Sequence, residues 1–140
     1  MNLPEVIHRD RDLLVLFKPP GLATTAPSAD QDCLVRWVGE AFPGLRAHPT
    51  SRLDSPVSGV VTFALNKGAN QQLLQARRSG RYERLYVGLT LHRLDEPSGQ
   101  WSWPISVDPG SKKRRQAGSG VGEREARTRY EVAARTPQAS

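Results

Sequence analysis

Two short aliphatic runs constrain this chain most: Leu13, Leu14, Val15, Leu16, Phe17, and the segment from Val60 to Leu65. The first is closed by Lys18, Pro19, Pro20 and Gly21, so it reads as a buried strand ending in a rigid turn. The second is rich in β-branched residues and follows a polar stretch from His48 to Gly59, so it reads as a core strand with a charged loop at its entrance. Neither run approaches the roughly 20 apolar residues that a bilayer-spanning helix needs. The N-terminus also shows no basic stretch followed by an apolar one. The expectation is a chain that is neither secreted nor inserted in a membrane.

Composition fits a small core with long connections. Of 140 residues, 37% are hydrophobic, 12 are glycine and 11 are proline, which points to one modest, turn-rich domain rather than two domains or a disordered chain. Cys33 is the single cysteine, which excludes an internal disulfide framework and a cysteine-based zinc cluster and suits a reducing, cytoplasmic setting. His8, His48 and His92 are too scattered for a metal site, and no glycine-rich nucleotide fingerprint is present, so neither a metal nor a nucleotide cofactor is expected. The formal net charge is +6, and residues 110 to 140 hold eight basic and three acidic groups. Within that segment Lys112, Lys113, Arg114 and Arg115 run together beside glycines, which reads either as a mobile basic loop that tracks a phosphate backbone or as a merely solvated one.

Helical periodicity is clearest where Leu34, Trp37, Val38, Ala41 and Phe42 make one apolar face, with Asp30 or Asp32 near its start and Pro43, Gly44 as its stop. Trp37 and Phe42 lie on that face and are read as core packing rather than as a platform for a base. Asn66 to Arg78 predicts a second, shorter helix stopped at Gly80. Strands are predicted at Leu85 to Leu91, Trp101 to Ile105 and Ala126 to Ala133, with Ser98 and Gly99 as a turn.

The loop Arg52, Leu53, Asp54, Ser55, Pro56, Val57, Ser58, Gly59 is the best local candidate for chemistry. A carboxylate just before a core strand can be held rigidly at the mouth of a cleft, where it suits nucleophilic work if a nearby cation or hydrogen-bond donors keep it ionised. From the spacing alone, a structural salt bridge between Arg52 and Asp54 is the favoured reading.

These residues resemble a known pattern. Arg52, Leu53, Asp54, three residues, then Ser58 and Gly59 before an apolar strand is similar to the HRLDxxTSG motif of the RluA-type pseudouridine synthase family. Further pieces follow in the family's order. Leu16, Phe17, Lys18, Pro19, Pro20, Gly21, Leu22 resembles NKPxGL, Arg84 to Leu89 resembles KxYxALV, and Trp103 to Tyr130 contains pieces similar to its later PI and AxTxY passage. The motif's leading His is Ser51 here and its Thr is Val57, and the family's later TGRxHQIR segment is not found before Ser140. The chain is therefore expected to be the N-terminal part of the fold, a single, incomplete catalytic domain over residues 1–140. A second HRLD string, His92 to Asp95, lacks the spacer and the aliphatic strand and is read as a turn.

The resemblance implies an α+β fold with a mixed, largely antiparallel sheet and packed helices. It implies isomerisation of uridine to pseudouridine in ribosomal or transfer RNA, without cofactor or metal. By the same resemblance Asp54 is the catalytic carboxylate, Arg52 fills the place of the extruded base, and Tyr86 stacks on the uracil and assists the final proton removal. Lys18, Lys112, Lys113, Arg114 and Arg115 are expected to hold RNA phosphates. A complementing chain or an oligomer is expected if the sheet lacks strands. The competing readings are a non-catalytic RNA-binding remnant and, more weakly, a glycosidase-like hydrolase with no convincing second carboxylate.

Overall fold

Alternation along one strand sets the core. In the computed structural model, which describes residues 3–28, 31–107, 115–117 and 121–135, Leu14, Leu16 and Lys18 are buried while Phe17 between them is exposed. They belong to β2 (Leu13–Lys18), which lies in a sheet with β1 (Glu5–Arg9), β3 (His48–Pro49) and β4 (Gly59–Ala64). The order is β1-β2-β4-β3 and every pairing is antiparallel. Leu14 faces Phe63 and Leu16 faces Val61 across the central pair, so one face of that pair is continuously apolar. The first helix, α1 (Leu34–Ala41), covers it with Leu34 and Val38. Trp37 and Phe42 pack edge to face against the same cluster, 6.2 Å between ring centroids, as core packing requires.

The second helix, α2 (Lys67–Arg78), begins where Asn66 turns the chain out of β4, and its side-chain oxygen accepts from the Ala69 amide at 2.9 Å. The same Asn66 donates to the Asp12 carboxylate at 2.7 Å, which ties the helix start to the β1–β2 turn. That turn is built by Asp10, whose carboxylate accepts from the amides of Asp12 and Leu13, each at 2.7 Å. Contact with His8 and these two amides holds the Asp10 carboxyl down at about 2. At the start of α1, Cys33 caps without a side-chain bond, and the first free amides donate instead to backbone carbonyls, Leu34 to Ala23 and Val35 to Thr24. Asp32 makes its ion pair with Arg36 rather than a cap, and Asp30 lies outside the described residues.

The chain divides into two compact units, residues 1–84 and 85–140. In the second, β5 (Ser98–Trp101) pairs antiparallel with β9 (Thr128–Glu131), while β6 (Ile105–Val107) lies between β7 (Arg115–Ala117) and β8 (Val121–Arg124). Four sequence expectations change here. Among the described residues no strand forms over residues 85–91, although Leu85, Val87, Leu89 and Leu91 alternate correctly: alternation sets which face a strand would bury, and a ladder also needs a neighbouring strand. Each of those four side chains is more than nine-tenths exposed. The predicted strand from Trp101 to Ile105 is broken at residues 102–104 into β5 and β6, and Ser98 and Gly99 belong to β5 rather than to a turn. Residues assigned to a mobile basic loop partly form strands, since Arg115 opens β7. Antiparallel sheets with two helices give the α+β architecture expected from the sequence.

Candidate active site

The Asp54 loop is fixed through the residue before the aspartate. Leu53 packs its side chain against the core cluster, and its neighbours Arg52 and Asp54 are exposed. The Leu53 backbone is gripped at both polar groups by one buried hydroxyl: Thr24 Oγ1 donates to the Leu53 carbonyl and accepts from the Leu53 amide, each at 2.9 Å. Thr24 is itself held, because its carbonyl accepts from Val35 at the start of α1. Helix, threonine and loop therefore form one chain of contacts ending beside Asp54.

A second clamp acts just after the aspartate. The Ser55 carbonyl accepts from the Gly21 amide at 2.8 Å and from the Lys18 ammonium at 3.4 Å. Gly21 takes φ +88, a conformation that the Pro20, Gly21 turn supplies without strain. Asp54 then opens a tight turn, its carbonyl accepting from Val57 at 3.0 Å, before Gly59 at φ +144 admits the chain to β4.

Lys18 differs from its expected role. Its place on the same strand parity as Leu14 and Leu16 carries it inward, to 0% exposure. Its ammonium donates to the carbonyls of Pro19 (3.0 Å), Leu22 (2.5 Å) and Ser55 (3.4 Å), which use its donors and leave no open face for a phosphate. Burial pushes its pKa down, and the negative charge of Asp54 opposes that shift. Lys18 is thus a buried cation under the Asp54 loop.

The remaining expected site residues are distributed as follows. Arg52 makes no ion pair with Asp54, so the salt bridge that their spacing permits does not form, and both side chains are open to solvent. Tyr86 lies in the second unit, 59% exposed, in the segment that forms no strand. Arg115 is in β7, and Lys112, Lys113 and Arg114 lie outside the described residues. Asp95 of the second HRLD string sits in a bend leading into β5, where its carbonyl accepts from Arg135 at 3.3 Å. Among the described residues no cluster of three or more metal-ligating side chains occurs, and no helix is long and apolar enough to cross a membrane.

Sequence reasoning missed Thr24. Nothing local marks it, because its partner is 29 residues away. Thr24→Val keeps the shape and removes the hydroxyl, leaving two Leu53 backbone groups without their partner. We expect it to lower stability by about 1–2 kcal/mol and to speed amide exchange at Leu53, with Thr24→Ser restoring both. Calorimetry and hydrogen exchange read the result, and unchanged Leu53 exchange in the valine variant would contradict the clamp.

A loop-borne aspartate thus lies between a Pro-Gly turn and a core strand, on an antiparallel α+β scaffold. Residues 12–140 match the RNA pseudouridylate synthase family, and the chain belongs to that family. It is 31% identical over 138 residues to the dual-specificity RNA pseudouridine synthase RluA of Haemophilus influenzae, covering 97% of this chain and 62% of that one. The corresponding Pasteurella multocida protein is also 31% identical, over 95% of this chain and 60% of its own. The chain thus spans about three-fifths of the length of these relatives. Among solved structures, human RNA pseudouridylate synthase domain containing 4 superposes with a TM-score of 0.68 at 20% identity, covering 96% of this chain and 56% of that one. Human RNA pseudouridylate synthase domain containing 1 gives 0.72, also at 20% identity, over 91% and 51%. These two similarities establish the fold.

Proposed function

We propose that the chain isomerises uridine to pseudouridine in RNA, with Asp54 as the catalytic carboxylate. The observation that carries this reading is the Asp54 loop itself, clamped by Thr24 before the aspartate and by Gly21 and Lys18 after it, in a member of the pseudouridylate synthase family. Such clamping holds an exposed carboxylate in one place without using its own oxygens, which leaves them available to a substrate.

In the reaction the N-glycosidic bond between N1 and ribose C1′ of the target uridine breaks, the uracil turns, and a bond forms between its carbon 5 and C1′; the proton of carbon 5 is lost to solvent and N1 takes up a proton from solvent in its place. No atoms are gained or lost overall, so no co-substrate is required. The target base must leave its stack to meet the carboxylate, and Arg52, free of Asp54 and open to solvent, is suited to take its place. Tyr86 stacks on the uracil and assists the final proton removal. RNA phosphates are held by Lys112, Lys113, Arg114 and Arg115, with ribosomal or transfer RNA as the substrate class; the relatives, dual-specificity RNA pseudouridine synthases by name, support the RNA assignment.

The test is nucleoside analysis of a transfer-RNA transcript and a ribosomal-RNA fragment after incubation with the protein. Appearance of the carbon-linked isomer, with total nucleoside mass unchanged, supports the proposal. Binding of both RNAs without any isomer would assign the chain to RNA binding alone.

A further inference from the structure

Three aromatic rings in the second unit form a ladder that the reaction does not use. Trp101, at the end of β5, stacks on Tyr130 of β9 with ring centroids 4.5 Å apart and planes 26° from parallel. On its other contact it stacks with Trp103, 6.4 Å between centroids and 17° from parallel. Trp101 and Tyr130 are half-buried, and Trp103 is 64% exposed.

The ladder is built into the strand pairing. Gly99 faces Tyr130 across the β5–β9 pair, and a Cβ at Gly99 would lie 2.7 Å from the tyrosine oxygen and 2.8 Å from its ring. The absence of a side chain there is what lets the Tyr130 ring lie across β5 and reach Trp101. Trp103 is the most exposed of the three rings, and its plane is close to parallel with that of Trp101.

We propose that Trp103 is a stacking platform for an unpaired base of the RNA, other than the uridine that reacts. This rests on the RNA reading above and deepens it. Two features favour a base over an apolar protein surface. Near-parallel rings leave a flat terminal face, which a planar base continues, and base-on-aromatic stacking tolerates any sequence because every base has such a face. The segment is also rich in exposed arginine, at Arg124, Arg127 and Arg129, although Arg129, opposite Gln100, lies on the face of the β5–β9 pair away from Trp101 and Tyr130. Residues 110 to 140 as a whole carry eight basic groups against three acidic ones, the charge balance that attracts a phosphate backbone.

The test measures binding of a fluorescein-labelled single-stranded oligouridylate, and of a blunt RNA duplex, by the full chain and its variants. Trp103→Ala is expected to weaken single-strand binding at least about tenfold, and Trp103→Phe to retain most of the affinity, because a smaller ring still stacks. Duplex affinity is expected to stay equal across all three proteins, since paired bases offer no open face. The salt slope of single-strand binding should also be the same for wild type and Trp103→Ala, because the ring meets no phosphate. Single-strand affinity that is absent in wild type, or unchanged in Trp103→Ala, would overturn the inference, and self-association lost in Trp103→Ala would assign the ring to a protein contact instead. Pseudouridine formed in a folded transcript with oligouridylate affinity indifferent to Trp103 would sink this inference alone. Trp103-dependent binding without any isomer formed would sink the proposed reaction alone.

Discussion

Lys18→Met is expected to lower the stability of the first unit by about 2–4 kcal/mol. Methionine fills a similar volume beside Leu16 and relieves the buried charge, but it supplies no donor. The carbonyls of Pro19 and Leu22 lose the ammonium, while the Ser55 carbonyl keeps only the Gly21 amide. Leaving a buried acceptor unpaired costs more than the net gain from forming the bond, so the loss of partners outweighs the relief of charge burial. Thermal and urea unfolding measure the change, and a methionine variant as stable as wild type would show that the ammonium is not holding these carbonyls.

The same lysine gives stability a pH dependence of known sign. Its pKa is lowered in the folded state, so the unfolded chain binds more protons once pH passes the folded value. Its unfavourable contribution is therefore constant at low pH and fades as pH rises from the lowered folded value toward 10.5, where the unfolded lysine also loses its proton. Over that window wild type gains stability relative to Lys18→Met.

Asp54→Asn is expected to reduce isomer formation by at least about a thousandfold while changing the RNA dissociation constant by less than about threefold. Asparagine has nearly the same shape, and the loop is held through Thr24, Leu53, Ser55 and Lys18 rather than through the Asp54 carboxylate. The substitution therefore removes the reactive oxygens without loosening the loop. Asp95→Asn, in the second HRLD string, is expected to leave both quantities unchanged, because Asp95 serves the fold through its backbone carbonyl. Nucleoside analysis and equilibrium binding on one RNA separate the two effects. An Asp54→Asn protein with undiminished turnover would move the chemistry elsewhere.

How far these features could be read in advance depends on how local their causes are. The strand β2, the strand β4 and both helices follow from hydrophobic period, and the structure places them within a few residues of the expected bounds. The edge strand β1 has no such pattern. All five of its residues are exposed, and it exists because β2 offers backbone partners. Residues 85–91 make the opposite case, with the right alternation and no ladder in the described residues. Pattern states which face a strand would bury, and pairing decides whether it forms.

The candidate site divides in the same way. Asp54 is conspicuous only through the motif around it, since an exposed aspartate in a polar loop is otherwise ordinary. The burial of Lys18 was within reach, because it continues the parity of Leu14 and Leu16, yet a lysine at a strand end is ordinarily assigned to solvent. The Thr24 grip on Leu53 joins residues far apart in sequence and required the fold itself. Arg52 shows that adjacency misleads, because two residues of spacing permitted an ion pair that the extended loop does not make.

Conversion of uridine in RNA into its carbon-linked isomer is the activity we propose for this chain. Carbon 5 must lose its hydrogen in that conversion and in no simple binding event. Release of tritium from RNA carrying uridine labelled at carbon 5, in step with the isomer formed, is the result predicted for the wild-type chain. RNA bound at saturation with no tritium above the protein-free control would contradict it.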